Sequence, residues 1–525
     1  MKAHLMYRDR DFDLLRPLPE NQADLTADLG LGVLFAAMAG GDEFLFEVAR
    51  RVVLSGLQED AETVRYRQAV LGDCLRHPET VRRVYDVTVE AIEGRKKHWL
   101  GLFSDRYPSS ILSGSVALVR MLMELLGRLK AIGAEHAGEF ESEGFNAFFG
   151  TIATELPGDY FAAIREHLEE LELRGGGLFS ARLGKGNQGE DYILRKSAAS
   201  KPGWIGRLFS RRASAYTFHL DPRDEIGARA LSELEDRGLN PAANAVAQSG
   251  DHILSFFTLL RTELAFYLGC SNAQGLVERK GAPTCFPVPF PPGTRRHACS
   301  GLRDVGLVLS LDHETVGNEL DADGKDLVVV TGANQGGKST FLRGIGMAQL
   351  MMQCGMFVAA ESFGADLCRS LFTHYRREED AAMKSGKFDE EMARMSAIAD
   401  QLTPDSLLLF NESFAATNER EGSEVARQIV QALLETRVKI FFVTHLHEFA
   451  HGLWEDRRPA TLFLRAERRE DGRRTFKLPP GDPLETSYGA DVYREIFGEE
   501  AAPGEADSPP RADPSPARRG GSPNR

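Results

Sequence analysis

Residues 332–340 read GANQGGKST, and they follow directly on DLVVVT at 326–331, a short β-branched run of the kind that forms a buried strand. No other stretch of the chain narrows its fold as much. Glycines at 332, 336 and 337 allow the backbone to turn its N–H groups inward around an anion, and a helix starting near Lys338 adds the positive end of its dipole. Gly332, Ala333, Asn334, Gln335, Gly336, Gly337, Lys338, Ser339 and Thr340 thus make a complete phosphate-binding loop, a Walker A. In such a loop the lysine, here Lys338, contacts the β and γ phosphates, and the hydroxyl of Ser339 holds Mg²⁺, so ATP and Mg²⁺ are the expected cofactors. A strand, loop and helix in this order predict an α/β P-loop domain built on a parallel sheet.

Downstream, residues 406–410 (SLLLF) form a second apolar run that ends at Asn411 and Glu412. A helical stripe of Val425, Ile429, Val430 and Leu433 comes next, then a third strand at 439–443 running into Thr444 and His445. Strand, helix, strand is the parallel βαβ unit, and it delivers Glu412 and His445 to the same carboxyl edge of the sheet as the loop. The chemistry of that edge needs a carboxylate to hold Mg²⁺ through water and a neighbouring glutamate to polarise the attacking water. Glu412 supplies the second, but Asn411 stands where the first belongs. Asparagine keeps an oxygen for a metal-bound water and loses the negative charge, so the expectation is ATP binding with slow hydrolysis. Glu412 and His445 are the candidate catalytic pair, and Ser339 and Asn411 the candidate metal side. A histidine straight after a buried strand, thirty-three residues past such a glutamate, points to an ABC-type ATPase rather than to a kinase or a Ras-like GTPase.

The rest of the chain sets the surroundings of this engine. At 525 residues with 42% hydrophobic side chains it exceeds one compact core, and two or three domains are expected. From about residue 31 to 269 the apolar spacing is helical: Phe46, Ala49, Val53 and Leu57 recur in one segment, and Val81, Val84, Thr88 and Ile92 in another that Pro78 opens. Residues 253–268 read as an apolar helix closed by Gly269 as C-cap. Between 175 and 222 the pattern breaks into glycine-rich and strand-like pieces. Inside that insert, 195–212 (RKSAASKPGWIGRLFSRR) carries Arg195, Lys196, Lys201, Arg207, Arg211 and Arg212 with no acid, beside Trp204 and Phe209. Such a segment either holds DNA phosphates or is a solvated loop. The formal charge of −14 confines any DNA contact to a patch or an enclosed channel. Residues 282–293 are proline-rich and suit a connector, and the last residues have too few apolar groups to fold. Six scattered cysteines read as reduced, buried thiols, and no uninterrupted apolar run approaches the length of a membrane span. With no signal-like N-terminus, the chain is expected to be cytoplasmic.

Four segments share one likeness: TGANQGGKST, FDEEM at 388–392, NESFAATNEREG at 411–422 and VTHLHEF at 443–449. In this order they resemble the ATPase domain of the MutS family of DNA mismatch repair proteins, which shows TGPNMGGKST, Phe-x-x-Glu-Met, DEIGRGTSTYDG and Thr-His. The likeness covers about 295–460, with Ala333 in place of the proline, and 355–360 (GMFVAA) reads as a strand with a family counterpart. The resemblance implies an α+β multidomain protein: a mainly helical core and lever region over 1–285 with the basic insert near 175–222, an ABC-type ATPase domain over 286–500, and a disordered tail over 501–525. It also implies a homodimer with composite sites, in which residues 384–391 of one copy reach the nucleotide of the other. The signature serine of the family falls on Gly386, with Ser385 one residue away and Lys387 able to substitute electrostatically. Residues 413–418 would cross the interface. Too few residues precede the helices to build the family's mismatch-reading domain. The function implied is ATP-driven switching on mismatched or otherwise structured DNA; the alternative is a nucleotide-gated ATPase that acts on a protein partner.

Overall fold

A computed structural model describes residues 1–100, 107–173, 177–195, 221, 223–377, 386–469 and 473–484. Ser385, Lys196, Lys201, Arg207, Arg211 and Arg212, together with Trp204, Phe209 and the 501–525 tail, lie outside them. The N-terminal region is helical. Asp42 caps the helix Glu43–Ser55 by accepting from the N–H groups of Phe44 and Leu45, and Pro78 and Pro108 open the helices Pro78–Leu100 and Pro108–His136. Against these runs one helix of 55 residues, Glu225–Arg279, roughly 80 Å long at 1.5 Å per residue. It does not stop at Gly269, as the sequence suggests. A Cβ there would stand 3.3 Å from Cβ of Met38, so the glycine marks close approach of the helix Leu31–Ala39 and not a cap.

Two stretches, Pro108–Glu139 and Glu225–Arg279, contain windows apolar enough to cross a membrane by length and composition, with mean hydropathy 1.5 and 1.3. Charged residues within them, Arg120 and Glu124 in the first and Arg261 and Glu263 in the second, break up any uninterrupted apolar run. The window in the longer helix is 72% buried inside the protein, which accounts for its composition as core; the other is 39% buried.

The insert contributes an antiparallel hairpin, β1 (Leu178–Leu183) and β2 (Gly189–Arg195). Beyond the long helix come β3 (Val288–Phe290), β4 (His297–Leu302), β5 (Asn318–Asp321), β6 (Leu327–Gly332), β7 (Ser362–Asp366), β8 (Leu371–Tyr375), β9 (Leu407–Asn411), β10 (Lys439–Val443) and β11 (Thr461–Ala466). They form a four-stranded sheet in the order β3-β7-β4-β5 and a five-stranded, all-parallel sheet in the order β11-β6-β10-β9-β8. The proline-rich 282–293 stretch supplies β3, where Pro289 is tolerated because the strand is an edge. Residues 355–360 are buried but are not a strand; Val358 makes a single bridge to Cys285.

The central strands are apolar throughout because both faces of the parallel sheet are covered. Val328, Val330, Leu409, Phe441 and Val443 face a core continuous with the helical region. Leu327, Val329, Leu408, Phe410, Ile440 and Phe442 face a second core under the helices Glu419–Glu435 and His447–Glu455. All six cysteines are free, and all but the half-buried Cys285 are buried.

Candidate functional site

The loop after β6 has the backbone that its glycines allow. Gly332 has φ 107°, and a Cβ on it would lie 2.8 Å from the backbone nitrogen of Ala466 on β11, so only glycine fits. Gly337, at φ 89°, turns the chain into the helix Lys338–Gln353. Lys338 is 4% exposed, and its Nζ donates to the carbonyls of Gly332 and Ala333, both at 2.9 Å. Burial pushes this ammonium down to about 8, an effect that Glu412 opposes and Arg474 reinforces.

Ser339 Oγ donates to Oδ1 of Asn411 at 2.9 Å, which joins the first turn of the helix to the end of β9. The next residue, Glu412, has φ 54°, and its N–H is tied to the carbonyl of Val443 at 2.9 Å. This turn brings Glu412 Oε1 to 2.6 Å from His445 Nε2. The hydrogen bond with His445 is the main cause holding the Glu412 carboxyl below its ordinary range, which favours the ionised carboxylate.

A cavity of about 430 Å³ opens over these groups. It is lined by Asn334 to Thr340 and Glu412, and also by Leu307, Leu311, Val316 and Phe476, the last standing against Gly337. Polar groups for an anion and apolar ones for a flat ring are the two needs of a nucleotide. Several of these residues escaped the sequence reading. Phe476 is placed by Asn318, whose Nδ2 donates to the Phe476 carbonyl at 3.1 Å and whose Oδ1 accepts from the Leu478 N–H at 2.9 Å. Arg474 Nη1 donates to Gln335 Oε1 at 2.8 Å. Nothing local in the sequence of either segment announces this; it follows from the chain folding back beside β11.

The loop after Glu412 is attached to the 388–392 segment. The Ser413 hydroxyl lies 2.7 Å from His374 Nδ1 and 2.5 Å from the His374 carbonyl. His374, kept neutral by burial that pushes it down to about 4, points Nε2 at the Glu391 carbonyl at 3.0 Å, and Glu391 Oε2 accepts from the N–H of Phe414 at 3.1 Å. Gly386 caps the helix Lys387–Ala399 without a side-chain bond, and Lys387 lines a second cavity that shares no lining residue with the first. Arg195 is exposed at the end of β2, with Nε donating to Ser180 Oγ at 2.8 Å. The structure therefore brings the loop, Asn411, Glu412 and His445 together and leaves Gly386, Lys387 and Arg195 outside that cluster.

Two family models match this chain: the MutS2 N-terminal domain over residues 59–279 and MutS domain V over 328–498. The chain belongs to the MutS family. Among MutS relatives, "DNA mismatch repair protein MutS" of Chloroflexus aurantiacus is 33% identical over 190 residues, which is 35% of this chain and 20% of that protein. The protein of the same name from Porphyromonas gingivalis is 34% identical over 193 residues, 35% of this chain and 21% of its own. "MutS protein homolog 4" of Homo sapiens is 29% identical over 143 residues, 27% and 15%. The chain thus spans about a fifth or less of the length of the curated MutS relatives it matches. The MutS domain V match includes Lys338, Ser339, Asn411, Glu412 and His445, and the helical half matches MutS2-type sequence.

Proposed function

We propose that this MutS-family chain is an ATP-binding, slowly hydrolysing ABC-type ATPase that works as a homodimer and uses nucleotide to switch its long helices on DNA. The reading is carried by one arrangement: Lys338, Ser339 and Glu412 line one cavity that also has apolar walls, with Asn411 bonded to Ser339 and His445 to Glu412.

The residues fit a triphosphate. Lys338 is a buried cation held only by carbonyl oxygens, and the first N–H groups of the helix Lys338–Gln353 follow it at the head of the cavity. Filling the site exchanges two neutral acceptors for phosphate oxygens and relieves the burial of the ammonium. Ser339 and Asn411 present adjacent oxygens for Mg²⁺, which when bound would neutralise charge building up on the phosphates. Glu412, held by its bond to His445, would accept a proton from water, and His445 would donate to a phosphate oxygen on releasing Glu412. With Asn411 neutral, the site holds one negative charge fewer against Mg²⁺, which favours slow turnover.

A second reading, nucleotide-gated action on a protein partner, is favoured by Asn411 and by the net charge of −14. Labelled homoduplex, mismatched and branched DNA, titrated at low salt with and without a non-hydrolysable ATP analogue, separates the two. Analogue-dependent binding to any of them supports action on DNA. No binding at low salt removes it and leaves the partner reading. Failure of Lys338→Ala to weaken ATP binding would remove the nucleotide site itself.

A further inference from the structure

Beside the Glu412 turn lies a second cavity, of about 300 Å³, lined by Arg376, Arg377, Lys387, Glu390, Glu391 and Arg394 among others. It is bound closely to the first. Tyr375, at the end of β8, pairs with Asn411, and the Arg376 N–H donates to the Asn411 carbonyl at 2.9 Å. Arg376 exerts its charge on both Glu412 and Glu391.

Among the described lining residues four cations face two carboxylates, and the acids near them are partly committed. Glu391 accepts from the Phe414 N–H, and Asp24 pairs with Arg377. Among the described residues neither Arg376 nor Arg394 forms an ion pair. Arg394 makes one bond, from Nη2 to the Tyr375 carbonyl at 2.8 Å, and is held below its ordinary range by burial and then by Arg377. Crowded guanidinium groups in a half-buried cavity are unfavourable until an anion joins them, and a phosphate group matches the fork geometry of arginine. The helix Lys387–Ala399 also begins at this cavity and lacks a side-chain cap.

We propose that this cavity is a phosphate site, held chiefly by Arg376 and Arg394 with Lys387. Neither arginine belongs to the loop, the Glu412 turn or the signature positions 385–387. Occupancy would be sensed next to Glu412, because Glu391 is bonded to Phe414 and, through His374, to Ser413. Two sources supply the same chemistry: free inorganic phosphate, or the terminal phosphate of ATP carried by a second copy of the chain. The second source rests on the nucleotide reading above, and the first does not.

The test uses the full chain in two arms. In the first, inorganic phosphate is titrated by calorimetry into Lys338→Ala, which disables the loop, and into Lys338→Ala with Arg376→Ala. Binding by the former that weakens at least tenfold in the latter supports a free-phosphate site. In the second arm, self-association driven by a non-hydrolysable ATP analogue is followed by sedimentation velocity for wild type, Arg376→Ala and Arg376→Lys, with nucleotide affinity measured separately. Association weakened tenfold or more in Arg376→Ala, partly restored in Arg376→Lys, at unchanged nucleotide affinity, assigns the phosphate to a second copy. Arg376 is exposed, so these variants fold, and an Arg376→Ala protein that matches its parent in both arms overturns the proposal. If the wild type binds no nucleotide, the ATPase reading fails and the phosphate titration still decides the site.

Discussion

Nucleotide binding should draw a proton into the protein at alkaline pH. Lys338 is pushed down from the ordinary 10.5 to about 8 because it is buried against neutral carbonyls. A bound triphosphate surrounds the same nitrogen with negative charge and favours the ammonium. Full restoration is a change of about 2.5 pK units, worth about 3 kcal/mol of coupling between proton and nucleotide. At pH 9 a group with a pKa of about 8 is roughly nine-tenths neutral, so each ATP should bring in about 0.9 proton; at pH 7 the uptake at this group falls to about 0.1. Affinity should correspondingly be about tenfold weaker at pH 9 than at pH 7. Without nucleotide the sign is opposite in its effect on the fold: burying the ammonium destabilises the chain fully below pH 8, and that penalty fades as pH rises toward 10.5. Calorimetry at pH 9 in buffers of different ionisation enthalpy gives the proton count directly. Uptake near zero at pH 9, or uptake unchanged in Lys338→Met, would refute the reasoning.

Three further outcomes are expected. Glu412→Gln should lower turnover by about 10²–10⁴-fold while ATP still binds, because it removes the proton acceptor and leaves the loop intact; steady-state phosphate release alongside fluorescent-nucleotide binding checks both parts, and equal turnover denies Glu412 its role. Asn411→Asp should reduce the Mg²⁺ concentration needed for half-maximal turnover by roughly tenfold and raise the rate, since it adds a charge 2.9 Å from Ser339 Oγ; an unchanged Mg²⁺ titration shows that position 411 does not limit metal binding. Glu263→Leu should destabilise the chain by about 3–5 kcal/mol in denaturant unfolding, because the buried carboxylate accepts the N–H groups of Leu5, Met6 and Phe12 and its loss orphans all three; a loss under about 1 kcal/mol would mean that the N-terminal segment finds other partners.

The cluster of the loop, Glu412 and His445 is legible in the sequence because its geometry is made by short pieces whose ends are fixed by a strand. Once β6, β9 and β10 are parallel neighbours, Gly332, Glu412 and His445 must emerge at one edge, and the apolar runs that precede them announce those strands. Gly269 was misread because a glycine ending an apolar run signals a cap in isolation, whereas here it makes room for Met38, a residue 231 positions earlier. Residues 355–360 have strand-like composition because they are buried, and burial alone does not provide a ladder partner. Phe476, Arg474, Asn318 and Arg376 were invisible for one shared reason. Each gains its place from a chain crossing that is long in sequence, such as the Asn318–Phe476 bond spanning 158 residues, and no periodicity encodes such a crossing.

The switching of the long helix by nucleotide proposed above needs a stiff path between the two, and the packing offers one. The helix Lys338–Gln353 starts at the phosphate loop and ends roughly 24 Å away, at Cys354. There the fully buried Arg67 reaches the Cys354 carbonyl with Nη1 at 3.5 Å and the Met6 carbonyl with Nε at 3.1 Å. Met6 and Leu5 in turn donate to Glu263 on the long helix, and Tyr267 of the same helix donates to the Leu5 carbonyl at 2.6 Å. The contact has no slack: a Cβ on Gly56 would stand 2.9 Å from Cβ of Cys354, and one on Gly355 would stand 2.5 Å from Cβ of Arg67. A joint packed this closely shifts as a unit. Any displacement of the loop helix on filling the cavity therefore reaches the last third of the 55-residue helix, at Glu263 and Tyr267, through residues 5–12, rather than through the proline-rich stretch that links the two regions in sequence.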